Sequence, residues 1–173
     1  MKNTFRYSLT EQDYIIFEKF NFKRIYKPIL ILVIMAITGF SIYYYCKFKL
    51  PIYIVAGILF LLGSLAVFYN RYTDGINNKV RRYVQNDKSY LKQVEISIDR
   101  KGIELNTLSN EGDVQINVIY PYSIMNVIFE TDDFLYFIID SEAKILPKSV
   151  IPNEMHGEVL RLIKKNKKRM YVK

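Results

Sequence analysis

Four places along the chain carry side-chain types able to do chemistry. They are the lone histidine His156 between Glu154 and Glu158, the lone cysteine Cys46 beside Lys47, the acidic pair Asp132-Asp133, and the basic run Lys164-Lys165-Asn166-Lys167-Lys168-Arg169. Metal or acid–base catalysis needs several ligands, or a nucleophile held by a base, at usable spacing. One imidazole between glutamates four residues apart falls short of that, because such a trio is common on exposed helices. A reactive thiolate needs a cation that lowers its pKa. Lys47 is a solvated neighbour, so packing or simple exposure accounts for Cys46. A single cysteine also excludes an intramolecular disulfide and a multi-cysteine zinc cluster. Asp132-Asp133 falls between two strand-like runs and reads as a turn. Neither a G-x-G-x-x-G nor a Walker-type loop is present. The expectation is a chain that is not an enzyme, with no cofactor, no metal and no small-molecule substrate.

The basic run is the most suggestive of the four. Beside anionic lipid each cation contributes about 1 kcal/mol of attraction, so Lys164, Lys165, Lys167, Lys168 and Arg169 are candidates for holding a neighbouring domain against a membrane. The plain alternative is a solvated tail. The wider charge pattern favours a membrane over nucleic acid. Of the net +8, residues 151–173 carry +5, whereas 92–150 carry −5. A nucleic-acid binder would place its positive charge as a patch on the folded domain itself.

The element that must position all of this is an apolar double stretch. Pro28 to Cys46 gives nineteen residues without a charge, and Leu50 to Asn70 gives twenty-one more. At 1.5 Å per residue each spans roughly 28–31 Å, matching a hydrocarbon core of about 30 Å. Within lipid every backbone amide must be satisfied inside the segment, which demands helices. Only Lys47, Phe48 and Lys49 separate the runs, so they form an antiparallel hairpin, with Pro51 suited to the first turn of the second helix. Tyrosines gather near the ends (Tyr26, Tyr43 to Tyr45, Tyr53, Tyr69, Tyr72), as at a bilayer interface. A buried helical pair in a soluble core is disfavoured by forty-odd contiguous uncharged residues. A cleaved signal peptide is disfavoured by the twenty-seven mixed-charge residues that come first. No acid, base or histidine interrupts either run, which argues against a transporter acting alone.

Flanking charge sets the sidedness. Lys19, Lys23, Arg24 and Lys27 precede the hairpin, and Arg71, Lys79, Arg81, Arg82 and Lys88 follow it, against two lysines in the connection. Nine against two places both termini in the cytoplasm of a multi-pass plasma-membrane protein.

Outside the hairpin, Phe5 to Ser8 reads as a short strand and Thr10 as a helix N-cap, with Glu11 and Asp13 in the first turn. Tyr14, Ile15, Phe17, Phe20, Phe22 and Ile25 fit either an amphipathic helix at the membrane surface or one packed on the soluble part. A helix over about 74–91 follows the hairpin, its stripe being Ile76, Val80, Tyr83, Val84, Tyr90 and Leu91. From Gln93 the period changes to two, giving short strands separated by turns such as Asp99-Arg100-Lys101-Gly102 and Ser109 to Asp113. A final helix begins near Pro152 and aligns Met155, Val159, Leu162 and Ile163. The expected organisation is 1–27 as strand and interfacial helix, 28–70 as the hairpin (28–46 and 51–70), 71–91 as a juxtamembrane helix, and 92–173 as a β-domain with C-terminal helix and basic tail.

The opening FRYSLTEQDYIIFEKF, the two-helix anchor, VEISIDRKGIEL, FLYFIID and ILPKSVIP before a last helix together resemble the YcxB-like family of bacterial membrane proteins. The resemblance covers nearly the whole chain, and SLTEQDY and ILPKSVIP, with its Pro147-Lys148 pair, are its most specific pieces. It implies a fold class: a membrane helical hairpin plus an α+β cytoplasmic domain, in which a curved antiparallel, pleckstrin-homology-like sheet is closed by a C-terminal helix. Lipid-binding pleckstrin-like domains use basic residues around the first hairpin, where this chain offers only Arg100 and Lys101 among acidic neighbours. The expected function is a non-enzymatic, membrane-tethered module that binds a protein partner or further copies of itself. The alternative is an accessory subunit of a larger membrane complex, such as a transporter, contacted through the hairpin.

Overall fold

The computed structural model of the chain describes residues 2–86, 92–108, 114–140, 142–166 and 170–172, without the side chains of 115, 170 and 172. It divides into two compact units, one of residues 10–88 and one that joins residues 1–9 to 89–173.

The first unit is helical. Helix α1 spans Glu11–Phe48, and its N-terminus is closed by a reciprocal cap. The Thr10 hydroxyl accepts from the Asp13 amide at 3.2 Å, and the Asp13 carboxylate accepts from the Thr10 amide at 2.8 Å. Together these satisfy two amides that a helix start leaves free. The segment 11–27 and the first membrane run form one helix, which continues through Pro28. Its 38 residues measure about 57 Å, nearly twice the hydrocarbon thickness. Lys49, in the left-handed conformation at φ 58°, ends it by donating its amide to the Tyr45 carbonyl at 2.7 Å. Helix α2, Ile52–Asn70, returns antiparallel, and the two pack closely at Gly57, where any Cβ would overlap the Ser41 side chain. A five-residue π-helical segment, Arg71–Gly75, leads into α3, Ile76–Asn86. The apolar side of the first part of α1 meets α3. Ile15, Ile76 and Val80 are buried between them, flanked by Tyr14, Phe22, Tyr72 and Val84. The ion pairs Lys79–Glu18 (2.9 Å) and Arg81–Glu11 (3.2 Å) join the rims of this packing.

The second unit is α+β. Strand β1, Asn3–Ser8, buries Asn3, Phe5 and Tyr7 and exposes the residues between. It pairs antiparallel with β2, Gln93–Ile98, although its Arg6 and the opposing Glu95 are 89 residues apart in sequence. Strands β3 (Gly102–Leu108) and β4 (Val114–Pro121) complete a sheet of order β1-β2-β3-β4. Strands β5 (Met125–Glu130), β6 (Phe134–Ile139) and β7 (Glu142–Pro147) form a second antiparallel sheet, extended by β8 (Met170–Val172), which lies parallel to β5. Helix α4, Asn153–Asn166, contributes Val159 and Ile163, both fully buried.

This corrects the expected fold class. The strands do not make one curved, pleckstrin-like sheet closed by a helix. They make two separate open four-stranded sheets of orders β1-β2-β3-β4 and β7-β6-β5-β8. The physical reason lies at residues 121–124. The Tyr122 amide still donates to the Lys101 carbonyl at 3.2 Å, and a turn closed by the Ile124 amide on the Pro121 carbonyl at 3.1 Å then leads the chain into β5, which pairs with β6 and β8 and not with β4. The first sheet fully buries Ile96, Ile98 and Ile103, and the second fully buries Ile128, Leu135, Tyr136, Phe137 and Leu146. One buried bond links the sheets, from the Tyr7 hydroxyl to the Ile145 carbonyl at 2.7 Å.

Candidate functional site

The hairpin holds most of the exposed large apolar side chains of the described residues. In the most apolar 18-residue window of the first span no residue is buried, and in that of the second 6 % are. Leu32, Phe40, Ile52, Leu59, Phe60 and Tyr69 face outward. Helices this long, apolar and uncovered match the length and composition of membrane spans. Their polar groups turn inward: the Ser41 hydroxyl donates to the Ile37 carbonyl and that of Ser64 to Phe60, each at 2.8 Å. No hydroxyl is left to lipid at those two positions. Both helices are thus long and apolar enough to cross a membrane, and an α+β unit follows them.

The charged flanks fall on three elements. Lys23, Arg24 and Lys27 lie on α1, Arg71 opens the π segment, and Arg81 and Arg82 lie on α3. The Lys23 ammonium sits 5.0 Å from the centre of the Tyr72 ring. Arg24 donates to the Asn21 side-chain oxygen at 3.0 Å.

The basic run is held on both sides. Lys164 and Lys165 occupy the last turn of α4, where cations meet the negative helix end favourably, and β8 follows at 170–172. Lys167, Lys168 and Arg169 lie outside the described residues. Lys164 also turns toward Glu130, its ammonium 3.9 Å from one carboxylate oxygen, while Lys148 donates to the other at 3.0 Å. Glu130 is 93 % buried at the end of β5, and Lys148 satisfies one of its oxygens while the other has an ammonium nearby but no hydrogen bond. Lys165 is exposed.

The remaining candidates resolve into local structure. His156 Nε2 lies 3.0 Å from the Lys148 carbonyl and 2.7 Å from that of Ile151. Two acceptors require the Nε2–H tautomer, so the imidazole ties the start of α4 to the 3-10 turn Lys148–Val150. Cys46 is exposed near the end of α1. Asp132 and Asp133 form the turn between β5 and β6, where the Phe134 amide donates to the Thr131 hydroxyl at 3.1 Å. Among the described residues no three His, Cys, Asp or Glu side chains gather where they could hold a metal ion.

One feature escaped sequence reasoning. Strand β4 is an edge of its sheet, and it exposes Val114, Ile116 and Ile119, the last at 64 %. Its alternation is broken by a register shift at Thr107/Leu108, which the residue pattern does not announce. Comparison with known proteins returns no matching family model, no similar curated protein and no similar solved structure at a significant level. The likeness to the YcxB-like family therefore rests on its sequence motifs alone.

Proposed function

We propose that the chain is a non-enzymatic membrane protein that presents its two-sheet domain on the cytoplasmic side as a protein-interaction module. The edge strand β4 carries this reading. An eight-residue strand with one unpaired side and apolar Val114, Ile116 and Ile119 exposed is a template for strand addition by a partner segment or a second copy. Natural edges of this length are ordinarily blunted by charge, yet β4 has no Lys, Arg, Asp or Glu. The pairing of β1 with β2 supports the shared sidedness. These strands precede and follow the hairpin, and strands cannot pair through a bilayer. The excess of flanking Lys and Arg supports the cytoplasm as that side.

The test is site-specific photocrosslinking in intact membranes from position 119, with position 4 on the opposite edge strand as control. Residue 119 should yield a discrete protein adduct that Ile116→Lys abolishes. A probe at 119 that labels only lipid, or labels proteins no differently from one at 4, would refute the reading.

A further inference from the structure

We propose that the hairpin carries a site for one anionic phospholipid of the leaflet nearer the termini, with the acyl chain in a groove between α1 and α2 and the phosphate at Arg71. The groove has a volume of about 500 Å³ and runs from Phe22 and Arg71 at one end to Val33 and Leu59 at the other. At 1.5 Å per residue that is roughly 16 Å along α1 and 18 Å along α2, the depth of one leaflet of a core about 30 Å thick. Its walls are apolar apart from the Tyr26 hydroxyl and Arg71, both near the outer end, and Ser64, whose hydroxyl is already committed to the Phe60 carbonyl.

The polar end is as specific as the apolar one. Arg71 has no carboxylate partner among the described residues, and it opens the chain's π-helical segment, a departure from α-geometry frequent at functional sites. The next residue, Tyr72, has the ammonium groups of Lys19 and Lys23 at 5.7 and 5.0 Å from its ring centre. Phe22 stacks on Tyr26 at 4.5 Å and meets Phe68 at 5.1 Å, forming an aromatic wall beneath these cations. The nearby Glu18 is occupied by Lys79, leaving Asp74 as the carboxylate closest in sequence to set against three cations. A smaller cavity of about 280 Å³, at the level of the other leaflet, is lined by Ala36, Phe40, Tyr44, Tyr53, Gly57 and neighbours, with no cation in its wall. The asymmetry between the two selects one leaflet and a negative headgroup.

The decisive test uses the full chain in nanodiscs of equimolar phosphatidylglycerol and phosphatidylcholine, with retained lipid counted by native mass spectrometry. The wild type should retain phosphatidylglycerol preferentially. Arg71→Gln should weaken that retention about fivefold, with Lys23→Gln adding a similar factor, and Arg71→Lys should preserve most of it. Gly63→Leu fills the groove from a position where a Cβ meets nothing within 4 Å, so it should displace the lipid while sparing the fold. Val33→Phe on the opposite wall serves the same end if Gly63→Leu is not monodisperse. Lys47→Gln/Lys49→Gln, at the far boundary, should leave retention unchanged. The proposal is overturned by equal retention of the two lipids, by retention that survives both groove-filling variants, or by an equal loss in the Lys47/Lys49 control, which would signify bulk charge attraction only.

Discussion

Glu130 shows how a single side chain decides what a basic segment can do. Read as sequence, Lys148 and Lys164 belong to a positive surface. In the fold Lys148 is bound to a buried carboxylate, while Lys164 approaches the same group at 3.9 Å and keeps half of its side chain exposed, so only one of the two charges is spent inside the domain. Replacing Glu130 with alanine leaves Lys148, whose side chain is only 17 % exposed, without its partner. The expected loss of stability is about 3–5 kcal/mol, the range for breaking a buried pair by removing one member, and urea unfolding of the detergent-solubilised chain measures it. His156 makes the complementary point. A lone histidine between two glutamates suggested chemistry by type, but its ring nitrogen bridges two carbonyls and serves as a clamp. Residue identity was legible; partners brought from other elements were not.

At the scale of elements, β1 is attached to its sheet by an exposed polar face as well as by backbone pairing. Arg6 pairs with Glu95 and Lys2 with Glu104, and these hydrogen-bonded cations hold both carboxyls below their ordinary value of 4.5. A depressed folded pKa means the stabilising contribution is complete above the unfolded value and is lost as pH falls through the folded one. Docking of β1 should therefore weaken progressively below about pH 4.5, modestly, because water screens these rim pairs. Protection factors of the amides at residues 4–8, referred to the intrinsic rate at each pH, should fall over that range, and the double variant Glu95→Gln/Glu104→Gln should flatten the dependence. Most elements were readable beforehand. The apolar runs announced the hairpin, period-two alternation announced β2 to β7, and Thr10 announced the start of α1. Three things were not. Period two shows that a strand exists but not which sheet it joins, so the division at Pro121 went unseen. Strand β8 is only three residues long and follows a charged run. A proline ordinarily interrupts a helix, so the continuity of α1 through Pro28 could not be read from the residues.

For the whole molecule, sidedness is the property most open to a direct check. A phosphatase active only outside the cytoplasm, fused after Lys173, should be inactive, and the same enzyme inserted between Phe48 and Lys49 should be active. The reverse pattern would show that the bilayer is crossed in the opposite sense. The anchor itself was the part most fully written in the sequence, because two uncharged runs of nineteen and twenty-one residues permit few alternatives in water. The interaction reading depends instead on the exposed edge of β4, which only three-dimensional pairing reveals.

The placement of β1 also has a consequence for biogenesis. Its backbone partners, residues 93–98, leave the ribosome only after the entire hairpin has been made. On the proposed topology the first strand waits, unpaired, until both spans are in the bilayer, and the domain closes only after that insertion is finished. Folding is thereby made to report on correct insertion. A chain whose first span had entered without its second would hold β1 and β2 on opposite sides, with a bare strand edge exposed to chaperones and proteases.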